Sequence, residues 1–256
     1  MLAKLLPEGG VTTRPWLMNQ GFDRHAIDNL VKSGQLSSVA AGVYTRADSS
    51  PTWEGVVHFL QTDLNRNLTI GGQTALELLG LSHYVPIGLR KIINLYGTDK
   101  LPAWYNDLGL NVDFKWHSEW DLLGRRTNLE AGQSDPLQSF TQNHLRKEGK
   151  WDLVISSPER ALLEILTAVP AETSVEHADL LLQGMTSLSP RSLQALLEQC
   201  QNIKVRRLFF LLADRYQPPW LEKLNREKID LGAGKRVLVK DGRLDKKYNI
   251  TIPKHL

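Results

Sequence analysis

The sequence has few of the residues that stabilise secreted proteins or span membranes. Its 256 residues include one cysteine, Cys200, so no disulfide can form within the chain. The longest apolar runs, such as 208–213, are far too short to cross a bilayer, and the opening MLAKLL runs into Pro-Glu-Gly-Gly without the apolar core of a signal peptide. We therefore expect a soluble cytoplasmic protein with no membrane partner, in which Cys200 is a small buried residue on a helix.

Common catalytic motifs are also missing. The sequence contains no Gly-x-Ser-x-Gly, Cys-x-x-Cys or His-Glu-x-x-His, and its seven histidines lack the spacing of metal ligands. Gly232-Ala-Gly-Lys235 resembles the end of a phosphate-binding loop, but Ile229 replaces the first glycine and Arg236 replaces the hydroxyl residue that holds the metal. We expect no catalytic residues, no metal and no cofactor, and hence a protein that is not an enzyme.

One pattern keeps an enzyme as an alternative. Asp113-Phe-Lys115 lies on a predicted strand with both polar side chains on one face, and Glu77 precedes it. The three residues loosely match the two acids and the lysine of metal-dependent nucleases. Since strand carboxylates and lysines are common on exposed faces, the nuclease is the lesser alternative.

Charge is distributed unevenly along the chain. Residues 1–200 contain 17 Lys and Arg against 22 Asp and Glu, whereas residues 201–256 contain 14 against 6. Clustered cations bind phosphates by releasing counterions, so the C-terminal segment predicts a basic surface, although a solvated basic tail without a ligand is the alternative. The residues assigned to this surface are Lys235, Arg236, Lys240, Lys246 and Lys247.

Residues 11–46 have the order of a winged helix-turn-helix. Thr13 is placed to cap a short helix with Pro15 in its first turn, and Gly21 ends it. Asp23 is placed to cap a second helix, on which Ile27, Leu30 and Val31 form an apolar stripe. Two short runs rich in branched residues then flank Ala41-Gly42, which predicts a hairpin directly after the second helix, the arrangement of a wing.

The outward face of the second helix has side chains suited to DNA. We predict groove contacts from His25, Asn29 and Lys32, since Asn and Lys match base edges and phosphates. Nearby phosphates are assigned to Arg24 and Arg46, and the DNA backbone at a helix N-terminus to Thr13 and Arg14. A generic helical pair with a solvated charged face is the alternative.

The remainder predicts a second, larger domain of mixed α/β (α+β) class, with Asp48-Ser-Ser-Pro51 as the linker. We expect domains at 1–50 and 51–256. Strands are predicted at 68–70, 91–96, 111–116 and 151–155, a long loop containing at most one short strand at 128–145, and a helical layer from Ser157 to Tyr216. Asp241-Gly242 predicts a hairpin turn between strands 235–240 and 247–252, with Val237 and Val239 on one face and Arg236, Leu238 and Lys240 on the other.

Four stretches resemble the AbiEi-type antitoxins. Leu30 to Arg46 (LVKSGQLSSVAAGVYTR) is similar to the winged helix of that family. Three later stretches, which follow in the same order, resemble its strand-to-helix element, its central helix start and its C-terminal hairpin: Ile70 to Leu81 (IGGQTALELLGL), Ser157 to Glu164 (SPERALLE), and Leu231 to Arg236 with Lys247 to Pro253 (LGAGKR and KYNITIP).

The resemblance implies a DNA-binding antitoxin of a type IV toxin–antitoxin system linked to abortive phage infection. Its partners would be double-stranded DNA, at inverted repeats in its own promoter, and a nucleotidyltransferase-like toxin that it opposes without necessarily binding it. Residues 51–256 would be the antitoxin domain, and we expect a monomer in solution. The sequence departs from many relatives at Ala40 and Ala41, where the wing is often basic, and this shifts the expected phosphate contact to Arg46. The alternative is a winged-helix regulator without an antitoxin role.

Overall fold

The computed structural model describes residues 2–82, 90–124, 137–145 and 151–256, and it has the mixed α/β class that the sequence predicts. The chain forms two compact units. The first comprises Met1–Thr69, Pro86–Trp116 and Asn143–Ile155, and the second comprises Ile70–Val85, His117–Gln142 and Ser156–Leu256. The two units are groups of residues that contact one another, and they do not test which segments fold independently. The domains at 1–50 and 51–256 therefore stay a prediction.

The first unit opens with the predicted winged helix-turn-helix. It contains three helices and three short strands, and the strands form one antiparallel sheet in the order β1-β3-β2. The elements are α1 (Leu2–Leu5), β1 (Thr12–Thr13), α2 (Arg14–Asn19), α3 (Arg24–Lys32), β2 (Leu36–Ala40) and β3 (Val43–Arg46).

Side-chain caps begin both helices of the pair, as predicted. The Thr13 hydroxyl accepts a hydrogen bond from the Trp16 amide at 3.4 Å, and an Asp23 carboxylate oxygen accepts one from the Ala26 amide at 2.7 Å. Such bonds satisfy backbone donors that have no partner inside the helix. The two helices and the sheet then bury one small apolar cluster, which consists of Leu6, Leu17, Ile27, Leu36 and Tyr44.

A helix and a five-stranded sheet follow the winged domain. The helix is α4 (Trp53–His58), which continues as a π-helix over Phe59–Asp63. The sheet has the order β6-β5-β4-β8-β7. Its strands are β4 (Leu68–Ile70), β5 (Lys91–Gly97), β6 (Val112–Ser118), β7 (Thr141–Leu145) and β8 (Asp152–Ser156).

Gln61, in the π-helix, binds two neighbouring strands of this sheet. Its amide nitrogen donates to the carbonyls of Leu68 at 3.0 Å and Val154 at 2.9 Å, and its amide oxygen accepts from the Val154 amide at 3.0 Å. The strands match the predicted ones to within two residues. Of the predicted loop at 128–145, residues 128–136 lie outside the described residues, and its one short strand is β7.

The second unit contains the predicted helical layer. Its helices are α5 (Gly72–Leu78), α6 (Trp120–Leu123), α7 (Pro158–Ala168), α8 (Val175–Gly184), α9 (Pro190–Gln199) and α10 (Ile203–Tyr216). Ser157 caps α7 as predicted, and the leucines of α7 to α10, except the exposed Leu180, belong to one buried core. Cys200 lies buried at the end of α9, where burial raises the pKa of its thiol to about 11. In the described parts of the chain, every helix is too short or too polar to span a bilayer.

The C-terminal strands differ from the predicted hairpin. A hairpin is present, but it joins β10 (Arg243–Asp245) to β11 (Ile250–Ile252), while β9 (Arg236–Val237) runs parallel to β11 on its other side. At the expected turn the Gly242 backbone approaches the Ile252 carbonyl so closely that a Cβ would lie 2.2 Å from its oxygen. The two predicted faces are also not observed, because Leu238 is 7% exposed and Val239 packs against the same core, whereas Val237 is 63% exposed.

Two buried arginines account for part of the basic excess after residue 200. Arg206 donates to the carbonyls of Leu197, Glu198 and Asp230. Arg207 donates to the carbonyls of Leu231, Gly232, Gly234 and Asn249 at 2.6 to 3.0 Å. The glycine-rich stretch at 231–234 therefore surrounds a guanidinium with backbone oxygens, which is the opposite polarity to a phosphate-binding loop.

A buried ion pair organises the start of α7. Arg160 and Glu164 are 1% and 2% exposed, and the Arg160 Nε lies 2.7 Å from Glu164 Oε1. Glu164 also accepts hydrogen bonds from the Gly72 amide at 2.8 Å and the Ser156 hydroxyl at 3.0 Å, and Arg160 donates to the Leu137 carbonyl. Because the carboxylate is out of water, its charge depends on these partners.

Arg160→Met is expected to lower the free energy of unfolding by about 3–5 kcal/mol, because it leaves Glu164 as an uncompensated buried charge. Chemical denaturation measures this loss. The exposed Arg191, changed to Met, is the control and should shift stability by less than about 0.5 kcal/mol. Adding Glu164→Gln to Arg160→Met should recover part of the loss, since no buried charge then remains; equal stability of Arg160→Met and the wild-type protein would contradict this account.

Candidate nucleic-acid interface

The face of α3 that points away from the apolar cluster has three of the predicted DNA contacts. Ile27 is fully buried, with Leu30 and Val31 partly buried beside it. At about 100° per residue, His25, Asn29 and Lys32 fall on the opposite side of the helix. All three are exposed, and among the described residues their side chains have no hydrogen-bond or ion-pair partner. A helix of nine residues thus presents a polar surface that the rest of the chain does not use.

Arg24 extends this surface, whereas Arg14 is engaged within the winged domain. Arg24 is exposed at the first turn of α3 and likewise has no partner in the described residues. Arg14 donates to the Tyr44 hydroxyl, at 3.0 Å from Nε and 2.6 Å from Nη2, and to the Asp28 carboxylate at 2.9 Å. The hydrogen bond to Tyr44, and then that to Asp28, raise the pKa of Arg14 above its usual value.

This arrangement links α2, α3 and the wing through one guanidinium. It also neutralises Asp28, the acidic side chain on α3, which would otherwise repel phosphates. Thr13 is occupied in a similar way, since its hydroxyl caps α2. The structure therefore gives Arg14 and Thr13 internal roles, and their predicted contact with a DNA backbone is untested.

The wing is short of positive charge. Its tip is Ala40-Ala41-Gly42, and Arg46 at the end of β3 binds Asp48. The Arg46 Nε donates to one carboxylate oxygen at 2.9 Å and Nη2 donates to the other, a two-point contact that lowers the pKa of Asp48. The sequence assigned a phosphate contact to Arg46, and the structure supplies a carboxylate that competes with a phosphate for the same guanidinium.

The predicted basic surface at the C-terminus has four exposed cations in place. Lys235, Arg236, Lys240 and Lys246 are exposed without a partner in the described residues, and Arg243, which the sequence analysis left out, is exposed on β10.

Lys247 is different from these cations because it binds Asp214. Burial alone would raise the pKa of Asp214, but hydrogen bonds from Arg226, Lys247 and Tyr248 lower it to about 2. Lys247 therefore has an internal partner, and it shares the single charge of Asp214 with Arg226.

Of the residues of the alternative nuclease, Asp113 already has a partner in the described part of the chain. Asp113 lies on β6 and pairs with Arg90, with 3.3 Å between Arg90 Nη1 and the carboxylate. Across residues 2–82, 90–124, 137–145 and 151–256, no group of three or more His, Cys, Asp or Glu is placed to hold a metal ion.

The sequence did not predict the residues that bind Arg14 and Arg46 within the fold. Tyr44 lies 30 residues after Arg14 and has no sequence signature as its partner. For Arg46 the available signal was Asp48, two residues later. Asp28 lies four residues after Arg24, a spacing that favours a pair with Arg24, whereas the structure pairs Asp28 with Arg14.

Two family models match the chain. Residues 1–87 match the model described as "Transcriptional regulator, AbiEi antitoxin N-terminal domain", and residues 90–253 match that described as "Transcriptional regulator, AbiEi antitoxin, Type IV TA system". The two matches follow each other along nearly the entire sequence, and the first contains the winged helix-turn-helix.

Among solved structures, the chain is similar to the RV2827C protein from Mycobacterium tuberculosis. The TM-score is 0.53 at 18% sequence identity, and the match covers 95% of this chain and 86% of that protein. At this identity the likeness concerns the fold alone. A comparison with curated proteins found no match.

Proposed function

Because the chain belongs to the AbiEi family of antitoxins, transcriptional regulators of type IV toxin–antitoxin systems, we propose that it represses its own operon through α3 and counteracts a toxin encoded beside it. The toxin is of the nucleotidyltransferase-like class that the sequence resemblance implies. It is a functional partner, and the proposal requires no stable complex between the two proteins. Repression of a promoter places this activity in the cytoplasm, with the chromosome.

One observation supports the DNA-binding part above the others: the side of α3 opposite its buried stripe carries exposed polar side chains without partners. His25, Asn29 and Lys32 lie at i, i+4 and i+7, so they line one edge of the helix. A winged domain inserts such a helix into the major groove, where asparagine can pair with adenine through two hydrogen bonds and lysine can bind guanine or a phosphate. Burial of Ile27 on the other side keeps this edge outward.

The roles of the basic residues follow from what each one already binds. Arg24 and Lys32 are available for phosphates, whereas Arg14 acts by positioning α2, α3 and β3 and by neutralising Asp28. Arg46 binds a phosphate only if DNA displaces Asp48 from its guanidinium. Inverted repeats would be bound by two copies of the chain, one for each half-site.

A winged-helix regulator without an antitoxin role uses the same α3 and differs only in its effect on the toxin. The contact units argue against testing this difference with a fragment that starts at residue 51, because the first unit includes residues on both sides of that position. Full-length variants that lose DNA binding are the better tool.

Lys32→Ala and Asn29→Ala should weaken binding in different ways. Loss of a phosphate contact at Lys32 should reduce affinity for every DNA sequence and reduce the slope of log K against log salt by about 1. Loss of a base contact at Asn29 should cost about 1–3 kcal/mol on the promoter and little on scrambled DNA. Fluorescence anisotropy over a salt series separates the two, and equal promoter affinity of Asn29→Ala and wild type would remove Asn29 from the interface.

Asp48→Asn is expected to strengthen DNA binding. The substitution releases Arg46 from its carboxylate, so the wing gains one available cation and the salt slope should increase by about 1. Glu222→Gln, an equal charge change at an exposed site in the 3-10 helix at Leu221–Lys223, is the control and should change neither quantity. If Asp48→Asn leaves affinity and slope unchanged, Arg46 lies away from the phosphates.

The triple variant Arg24→Ala/Asn29→Ala/Lys32→Ala should separate repression from protection. Expressed from an independent promoter, it should fail to repress a reporter carrying the native promoter but should still rescue growth when the adjacent toxin is induced. Lys223→Ala/Lys228→Ala removes the same number of exposed cations and should retain both activities. If the wild-type chain represses the reporter without rescuing growth, the protein is a plain regulator.

A further inference from the structure

The first unit contains a cavity beside the helix-turn-helix that the proposed function does not use. Its volume is about 480 Å³, within the range of small-molecule sites. Trp16 and Gln20 line it from α2 and its C-terminus, His58, Phe59 and Asp63 line it from α4 and the π-helix, and Trp151 lines it from the residue before β8. The π-helix is itself a local irregularity of a kind frequently found at functional sites.

Four of the thirteen described residues that line the cavity have aromatic rings. Trp16 and Phe59 meet edge to face, with ring centroids 5.9 Å apart, and the rings of His58 and Trp151 are 5.2 Å apart. Phe59 and Trp151 are buried, whereas Trp16 is partly exposed. Aromatic faces carry partial negative charge, so they attract cations as well as apolar groups.

Among the described residues of these walls, the one formal charge is negative. Asp63 is partly buried, and in the described residues its carboxylate has neither a hydrogen-bond nor an ion-pair partner; no lysine or arginine is among the described residues that line the cavity. Burial raises the pKa of Asp63, and the charge interaction with His58 partly opposes that rise.

His58 adds an acceptor rather than a donor. Its Nδ1 lies 2.8 Å from the Asp152 carbonyl oxygen, which can only accept, so Nδ1 carries the hydrogen. In the neutral ring this leaves Nε2 as an acceptor. The polar groups contributed by Asp63 and His58 are therefore both suited to a ligand that donates hydrogen bonds.

We propose that this cavity binds a small organic cation with an aromatic or apolar body, with the ammonium at Asp63 and the body against Trp16 and Phe59. An anion would meet the Asp63 carboxylate without a compensating lysine or arginine among the described residues of the walls. A neutral guest of the same shape would occupy the rings but would leave the carboxylate unpaired, so charge as well as shape selects the ligand.

The position of the cavity makes such a ligand an effector of DNA binding, a consequence that rests on the proposed function. Trp16 and Gln20 belong to the first helix of the helix-turn-helix, and Arg14 on the same helix binds Asp28 of α3. A ligand bound between α2 and the π-helix changes the relative stability of conformations that differ in the position of α3. By linkage, promoter DNA must then change the affinity for the cation by the same factor.

The experiment uses the full chain and 2-phenylethylamine, with 2-phenylethanol as the uncharged analogue. Calorimetric titration without DNA should show the amine binding at least tenfold more tightly than the alcohol. Asp63→Asn should reduce affinity for the amine at least tenfold and leave the alcohol unaffected. Asp107→Asn, which makes the same net charge change outside the cavity, should bind both as the wild type does.

Two further measurements keep the test decisive if one variant fails to fold. Thr62→Lys adds an ammonium at the cavity wall and should prevent the amine from binding. Lowering the pH through the raised pKa of Asp63 should weaken amine binding, because the carboxylate becomes protonated. Equal affinity for amine and alcohol, or undiminished amine binding by Asp63→Asn, would overturn the cation site.

The promoter titration, repeated with saturating amine, tests the coupling separately. A changed affinity that disappears in Asp63→Asn supports the effector role. If the amine binds but promoter affinity stays the same, the cation site stands and its regulatory role is wrong. If the chain binds the amine and no promoter DNA at all, the proposed function fails while the cation site remains.

Discussion

The recognition surface depends on the burial of Ile27. A nine-residue helix has too few hydrogen-bonded turns to be stable alone, so α3 exists because its apolar stripe packs against Leu17, Leu36 and Tyr44. That packing also fixes the rotation of the helix about its own axis. Because Ile27 faces the cluster, the periodicity of the helix directs His25, Asn29 and Lys32 outward. These side chains have no partner in the described residues, so they form a surface that can bind another molecule.

Internal pairing decides which cations can serve that surface. Arg14, Arg46 and Lys247 each have a carboxylate partner, and Arg206 and Arg207 are surrounded by backbone carbonyls. A count of lysines and arginines therefore overstates the charge available to nucleic acid. Because the wing has few available cations, we expect α3 to make most of the contacts with DNA. Contacts from α3 can read bases as well as bind phosphates.

Local signals in the sequence were reliable wherever a short-range contact decides the structure. Thr13, Asp23 and Ser157 cap helices as predicted because a cap bond joins residues three apart. The predicted C-terminal hairpin was wrong because its strand pairing depends on residues that are far apart in the sequence. Asp241-Gly242 has a strong turn signal, but the pairing of β9 with β11 depends on contacts made by residues more than ten positions apart, and these placed the strands parallel.

The sequence by itself determined the order of the elements, the winged helix-turn-helix, the outward residues of α3 and the family, because periodicity, caps and motifs are properties of neighbouring residues. Only the tertiary structure decided which of those residues are available. It paired Arg14 with Tyr44 across 30 positions, and it assembled the cavity at Asp63 from three separate stretches of chain. Partners and cavities arise from distances between remote residues, and pattern along one chain does not contain those distances.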